Sequence, residues 1–413
     1  MSLNVGEALF FVGIDWAATT HAVCVLDTKG RRVAAFTVEH TAAGLAGLTR
    51  RLARLGQADS MPVGIERPDG RLVDAVLEAG HPMVPVSPNA IKTWRESETS
   101  SGAKSDAGDA YVIADYLRCR HHRLSLAVPY SAETKALRAV VRTRDDLVDA
   151  RVAATNQLGA LLDAHWPGAK AVFADVTSEI ALAFLERYPT PAAARGLGEK
   201  RLAAFLAKHG YSGRRSGEAL LARLRAAPAG TLDETLCEAV RDAVTALVTV
   251  LKALGAALKD MGRSVIAHLG EHPDAEIFTS LPRSGQINAA QVLAEWGDCR
   301  QAYDGPDAVA ALAGVTPVTK ESGKHRAVLF RWACNKRFRV ALTTFADNSR
   351  HDSPWAAKVY TDARTRGHDH PHAVRILARA WTRVIWRCWI DRVPYNPDRH
   401  GNAVQLNLQD QPA

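Results

Sequence analysis

The stretch FFVGIDWAATTHAVCVLDTKGRRVAAFTVE, residues 10–39, reads as three short strands. Residues 10–15, 21–27 and 31–39 are β-branched and aromatic runs, and Thr28-Lys29-Gly30 is the turn that joins the last two. Strands this close in sequence pair as a meander. Beyond them, helix-period residues at 42–55 lead to the apolar run MPVGIE at 61–66, a helical stretch at 70–79 and a strand PMVPVS at 82–87. A polar Ser/Thr/Gly loop and a helix over 106–119 follow. A meander followed by alternating strands and helices predicts an α/β unit, residues 8–125, with a mixed sheet and helices on its faces.

The rest of the chain reads as helical. One long helix is expected from Ser131 to 165 and a second from Leu232, within a region bounded at 130–270; between them residues 167–231 are Ala-rich, punctuated by Pro and Gly, and predict short helices. In the second long helix Val240, Ala243, Leu247, Val250, Leu254, Ala257 and Met261 alternate three and four apart, the seam of a coiled coil. Period alone leaves open whether the partner helix belongs to this chain or to another copy. A last unit spans 271–397, and the polar tail 398–413 is expected to fray.

Composition narrows the function classes. Of 413 residues 47% are apolar and 23% charged, which argues against disorder. No run of 18 apolar residues occurs and the first charged residues come too early for a signal peptide, so a cytoplasmic protein without membrane contact is expected. Six scattered cysteines without a C-x-x-C pair make a disulfide framework or a thiolate zinc site a poor reading. The net charge is +8, and residues 320–400 alone hold 17 Lys and Arg against 7 Asp and Glu, so the basic footprint is C-terminal. Within it Arg375, Arg379, Arg383 and Arg387 recur every four residues, a stripe that can track phosphates or simply face water. The candidate nucleic-acid contacts are Lys320, Lys324, Arg326, Arg331, Lys336, Arg337, Arg339, Arg375, Arg379 and Arg383.

Two groups of residues carry chemistry. Asp15 and Glu66 each end an apolar strand, where a lone carboxylate is costly unless paired or bound to a cation. In Lys104-Ser-Asp106-Ala-Gly-Asp109-Ala the two acids share a helix face. Four carboxylates of this kind could ring Mg²⁺ or Mn²⁺, which prefer hard oxygen ligands. Taken singly, Asp106 could be an N-cap and Asp109 a first-turn acid. Asp27, Asp69 and Asp115 read as turn, loop and helix-surface acids. The second group is the segment VTPVTKESGKHR, 315–326, read as a loop in which Lys320, Lys324, His325 and Arg326 crowd Ser322. Cations there would attract a phosphodiester and stabilise the charge of an attacking alkoxide. Ser284, in LPRSG, is a rival, and a serine beside glycine is also ordinary turn chemistry. The His368-x-His370-x-His372 cluster reads as a loop before a helix rather than as a metal site.

Taken in order, GID at 13–15, GIE at 64–66, KSDAGDA at 104–110, SLPRSG at 280–285, AGVTP at 313–317, ESGK at 321–324 and RWACNKRFR at 331–339 resemble the bacterial insertion-sequence transposases of family one-hundred-and-ten. The resemblance is collinear from about residue 10 to 395. It implies an RNase H-like, RuvC-like domain whose D-E-D-D tetrad falls on Asp15, Glu66, Asp106 and Asp109. It also implies a mainly helical C-terminal domain with a catalytic serine at Ser322. The implied activity is DNA recombination through a phosphoserine link, with Mg²⁺ or Mn²⁺ as cofactor. The implied partners are element and target DNA, a structured guide RNA from the element's flank, and further copies of the chain. A junction nuclease without a covalent intermediate is the alternative; an actin-like ATPase lacks the glycine-rich loops it would need. One departure stands out. Many members show P-G-x-G where this chain has Pro282-Arg-Ser-Gly285.

Overall fold

In the computed structural model, Phe10–Asp15 (β1), Thr20–Asp27 (β2) and Arg32–Glu39 (β3) form the expected antiparallel meander, Phe10 facing Asp27 and Thr20 facing Glu39. The structure describes residues 8–66, 70–98, 105–124, 126–127, 129–322 and 325–399, except the side chains of Glu98, Lys320, Ser322, His325 and Arg326. Helix Ala42–Ala53 (α1) leads to Val63–Ile65 (β4), and Arg71–Glu78 (α2) to Met83–Pro85 (β5). Both added strands run parallel to β1, giving the order β3-β2-β1-β4-β5. This mixed sheet is compatible with an RNase H-like unit.

Two helices follow the sheet, Pro88–Glu98 (α3) and Asp106–Arg120 (α4). The first replaces the expected loop. It carries few apolar side chains, and only Ile91 and Trp94 anchor it, so no periodicity announces it. Alternation along the strands separates two cores. Val12, Ile14, Val63 and Ile65 join Leu48, Leu52 and Leu72 of α1 and α2 on one face, while Phe11 packs on Val112, Ile113 and Leu117 of α4 on the other.

The chain divides into two compact units: the segments up to Ser131, Trp296–Arg339 and Val359–Val393 form one, and Ala132–Glu295 with Val340–Lys358 and the residues from Pro394 form the other. The second unit is built on two long helices, Ala132–His165 (α5) and Glu234–Glu271 (α10), with Pro167–Val172, Glu179–Arg187, Glu199–Lys208 and Gly217–Ala226 (α6–α9) between them. The long helices are antiparallel and tied at both ends: Thr134 Oγ1 meets His272 Nε2 at 2.8 Å, and His165 Nδ1 meets Thr231 Oγ1 at 3.1 Å. Val240, Val244, Val248 and Leu251 of α10 share a core with Leu158 and Leu162 of α5 and with Trp166, Phe184 and Phe205 around the short helices. Of the seam residues, Val240 is buried, Ala243, Leu247, Leu254, Ala257 and Met261 are half-buried, and Val250 is exposed. The buried stripe of α10 thus packs on helices of the same chain, beside the heptad seam rather than along it.

Beyond α10 the helices are Ala275–Thr279 (α11), Gly285–Trp296 (α12), Pro306–Leu312 (α13), Lys336–Ser349 (α14), Pro354–Thr365 (α15) and His370–Asp391 (α16). Val318–Ser322 (β6) and His325–Leu329 (β7) form an antiparallel hairpin where the sequence suggested an irregular loop. In the first unit Trp296, Phe338, Trp381 and Trp389 are fully buried, with Trp296 edge-on to both Phe338 and Trp389. Among the described residues no helix is long and apolar enough to cross a membrane.

Two features have measurable consequences. Arg283 stands at φ +53°, the left-handed region that favours glycine, in the turn Pro282-Arg-Ser-Gly285. Arg283→Gly is expected to raise stability by about 1 kcal/mol, because a side chain there crowds the carbonyl; urea denaturation reads the shift. Burial, reinforced by His40, holds the His21 imidazole below its usual range, and burial does the same to His81 despite the Met61 carbonyl it contacts. The unfolded chain therefore binds more protons once the pH falls to about 6.5, so stability rises with pH and is lost on acidification through that range. A urea midpoint that drops between about pH 7.5 and 5.5, and drops less in His81→Gln, is the expected result.

Candidate active site

Close backbone contact positions the acidic residues. A Cβ at Gly13 would collide with the Ala110 carbonyl and the Ala114 amide of α4, and one at Gly64 would lie 3.0 Å from Ile113 Cγ2. These are the glycines of GID and GIE. Their lack of side chains lets α4 lie against β1 and β4. Phe11 meets His121, just past the C-terminus of α4, at a ring separation of 5.1 Å, while Gly13 meets Ala110. The helix thus runs antiparallel to β1, and its N-terminus lies toward the carboxyl end of the strand.

Four acidic residues are carried by the elements that end there. Strand alternation puts Asp15 on the same face as Gly13, and Glu66 follows Gly64 in the same way. Because Ile14 pairs with Ile65, Asp15 and Glu66 come next on neighbouring parallel strands. Asp106 and Asp109 occupy the first turn of α4, where the helix dipole favours acids. That turn is capped by Ser105, whose hydroxyl accepts the Gly108 amide at 3.1 Å. Asp106 and Glu66 are exposed, Asp15 is half-buried and Asp109 is buried. Arg95 of α3 pairs with Asp109 at 2.5 Å, a partner that no sequence periodicity pointed to.

The donor set is chemically suited to a hard divalent cation, being all carboxylate oxygen. Among the described residues no three acidic, imidazole or thiol groups stand close enough together to share an ion. The fit therefore rests on donor chemistry and placement. The acids set aside in the sequence fall differently. Asp27 is a turn acid, accepting the Lys29 and Arg31 amides. Asp115 is buried rather than on the surface, bound to Arg118 at 2.7 Å and to Trp94 Nε1 at 3.1 Å. Asp69 and Lys104 lie outside the described residues.

Ser322 ends β6 and pairs with His325 across the hairpin; Lys324 and the side chains of Lys320, Ser322 and Arg326 lie outside the described residues. Ser284 is buried and its hydroxyl is turned toward the Thr279 carbonyl, the setting of a structural serine. At the foot of the hairpin Arg331 Nε donates to the Thr316 carbonyl at 3.0 Å. Arg339 is turned inward, donating to the Arg331 carbonyl and lying over the Phe330 ring at 4.4 Å. Lys336 is exposed and Arg337 half-buried. Trp332, unnoticed in the sequence, is 78% exposed with its ring 4.8 Å from Phe330.

On α16 the arginine stripe is partly neutralised from within. Arg375 lies over Phe330 at 5.0 Å, Arg379 and Arg383 share Asp307 at 3.3 and 3.8 Å, and Arg387 pairs with Asp391 at 2.6 Å. The histidines do not form one cluster: His370 Nδ1 bonds the Tyr360 hydroxyl at 2.9 Å, while the His368 and His372 rings lie 4.3 Å apart.

A family profile described as "Transposase" matches residues 12–167, and one described as "Transposase IS116/IS110/IS902 family" matches residues 275–361. A mini-circle protein of Streptomyces coelicolor, named for the transposase of IS117, is 31% identical over 399 residues, 94% of this chain and 96% of its own. The 42 kDa protein of insertion element IS900 from Mycobacterium paratuberculosis is 27% identical over 94% of this chain and 97% of its own. The IS116 protein of Streptomyces clavuligerus is 27% identical over 94% and 96%. With its mixed sheet and acidic strand ends, the chain is of the DNA-transposase class. It belongs to the IS110 family of insertion-sequence transposases.

The contact at Gly13 gives a direct test of this geometry. Gly13→Ala is expected to cost about 3 kcal/mol in urea denaturation, since helix backbone must move. Gly64→Ala is expected to cost less, because the atom it meets is a side-chain methyl.

Proposed function

We propose that this transposase cuts and rejoins DNA through a covalent link to Ser322, with Asp15, Glu66, Asp106 and Asp109 as the cation-binding half of the same reaction centre. The observation that supports this most strongly is the placement of Asp15 and Glu66 at the ends of neighbouring parallel strands and of Asp106 and Asp109 in the first turn of α4, at positions collinear with the family's motifs. The Ser322 oxygen attacks a backbone phosphorus, a phosphorus–oxygen bond to one sugar breaks, and the departing sugar oxygen takes a proton. Attack by the hydroxyl of a second strand reverses the step and frees the serine. Bond energy is kept in the ester, so no nucleoside triphosphate is required. Mg²⁺ or Mn²⁺, when bound, supplies charge stabilisation to attacking and leaving oxygens. Asp109 is held by Arg95 at 2.5 Å.

The C-terminal cations supply backbone contacts: Lys320, Lys324, Arg326, Lys336, Arg337, Arg375, Arg379 and Arg383 face the nucleic acid, while Arg331 and Arg339 brace the hairpin that carries the serine. Specificity then lies in pairing with a structured guide RNA. The reaction centre is shared between copies of the chain, which associate through the half-exposed face of α10 beside its buried stripe. The protein acts in the bacterial cytoplasm, at the nucleoid. Functionally the chain divides into the acidic unit 8–125, the helical region 130–270, the serine unit 271–397 and the tail.

The test is a covalent adduct. After incubation with element DNA, RNA and Mg²⁺, denatured protein is expected to carry DNA in the wild type and in Ser284→Ala, and to carry none in Ser322→Ala. Cleavage without any adduct would establish the junction-nuclease alternative, and loss of the adduct only in Ser284→Ala would move the nucleophile.

A further inference from the structure

The foot of the β6–β7 hairpin and α16 enclose a cavity of about 360 Å³, lined by residues 314–317, residues 328–331 and the α16 side chains His372, Arg375, Ile376 and Arg379. Its size lies near the lower end of the roughly 300–1,000 Å³ of ligand sites, too large for a lone phosphate and too small for a duplex. One part of the lining is apolar, from Val315, Pro317, Leu329, Phe330 and Ile376. The other is cationic, from Arg331, Arg375 and Arg379. A ligand with an apolar body and an attached anion uses both, and Phe330 offers that body an aromatic face.

Polar atoms already in place favour the same occupant. The Thr316 hydroxyl and Arg379 Nε are buried without a hydrogen-bond partner among the described residues, which is costly unless a ligand completes them. On the lining Val328 is 63% exposed, and Trp332, whose ring lies 4.8 Å from that of the lining residue Phe330, is 78% exposed, an apolar and aromatic surface against which a neighbouring base can stack. From Val318, next to the lining residue Pro317, to Ser322 the strand advances four residues, about 13 Å at roughly 3.3 Å each. That is about four nucleotide steps at roughly 3.4 Å per step along one strand.

We propose that this cavity seats one unstacked nucleotide of the bound strand, a few steps from the phosphate at Ser322. Its base lies on the apolar wall with an edge at Thr316, and its phosphate is held by Arg375 and Arg379. Withdrawn from the stack, this nucleotide fixes the register of the strand against the serine. The proposal rests on the nucleic-acid reading above and names the part of the strand that the site holds.

The test uses the full chain and short single strands carrying one 5-iododeoxyuridine, or 5-iodouridine in a ribose version, at successive positions. After irradiation, crosslinks are mapped by mass spectrometry. Crosslinks to Phe330 or His372 from either strand type are expected; the strand type that gives them identifies the source. Excess thymidine monophosphate should suppress them and the same concentration of inorganic phosphate should not, and Arg375→Ala should reduce them about tenfold, the worth of one charged contact. Crosslinks confined to Trp332 or to the hairpin surface, or equal suppression by phosphate, would overturn the proposal. The wild-type competition stands even if the variant fails to fold. Crosslinking needs no strand cleavage, so a missing serine adduct overturns the recombinase reading alone, and a missing crosslink overturns this site alone.

Discussion

The acidic half of this transposase depends on a helix lying with its backbone against two glycines. At Gly13 any side chain would strike the α4 backbone, and at Gly64 a Cβ would press on the Ile113 side chain at 3.0 Å. This approach sets the height of α4 over β1 and β4, and therefore where its first turn ends up. Without it, Asp106 and Asp109 would be two ordinary first-turn acids. With it, they stand over the strand ends that present Asp15 and Glu66. Parallel pairing of β1 and β4 does the rest, since only parallel neighbours bring both carboxyl ends to the same edge.

The basic half is organised differently. There the serine is borne on a two-stranded hairpin, a structure of marginal stability by itself. Its foot is braced by Arg331 and Arg339, whose guanidinium groups bind backbone carbonyls of the segments entering and leaving it. Arginine thus serves two ends in one region. Some guanidinium groups brace the backbone, and others, on α16, stand near Asp307 and remain partly exposed. Ion pairs at such exposure contribute little to stability, about 0–1 kcal/mol, so Asp307 can give them up to a phosphate at small cost.

Much of the sheet was legible because short strands announce themselves by composition. The run FFVGID became β1 residue for residue, and MPVGIE and PMVPVS contained β4 and β5. Helix α3 was not legible, since a mostly polar surface helix held by Ile91 and Trp94 has no apolar period. The hairpin around Ser322 was hidden by Pro, Ser and Gly residues that also mark loops. The heptad reading found α10 but not its partner: the buried stripe runs through Val244, Val248 and Leu251, one position beside the seam, because α5 and the short helices share the contact. Among the site residues, Asp15 and Glu66 drew notice by interrupting apolar runs at strand ends, although Glu66 is exposed and Asp15 only half-buried. Arg95, Thr316, Phe330 and Trp332 carried no such signal, since their roles arise from neighbours distant in sequence.

Electron paramagnetic resonance of Mn²⁺ titrated into the full chain tests the central claim most directly. The account predicts bound Mn²⁺ in the wild type and in Asp27→Asn, whose carboxylate serves only a turn, with binding lost in Asp15→Asn and in Asp106→Asn. Equal binding by all four proteins would contradict it, because the strand ends and the first turn of α4 would then hold no common ion.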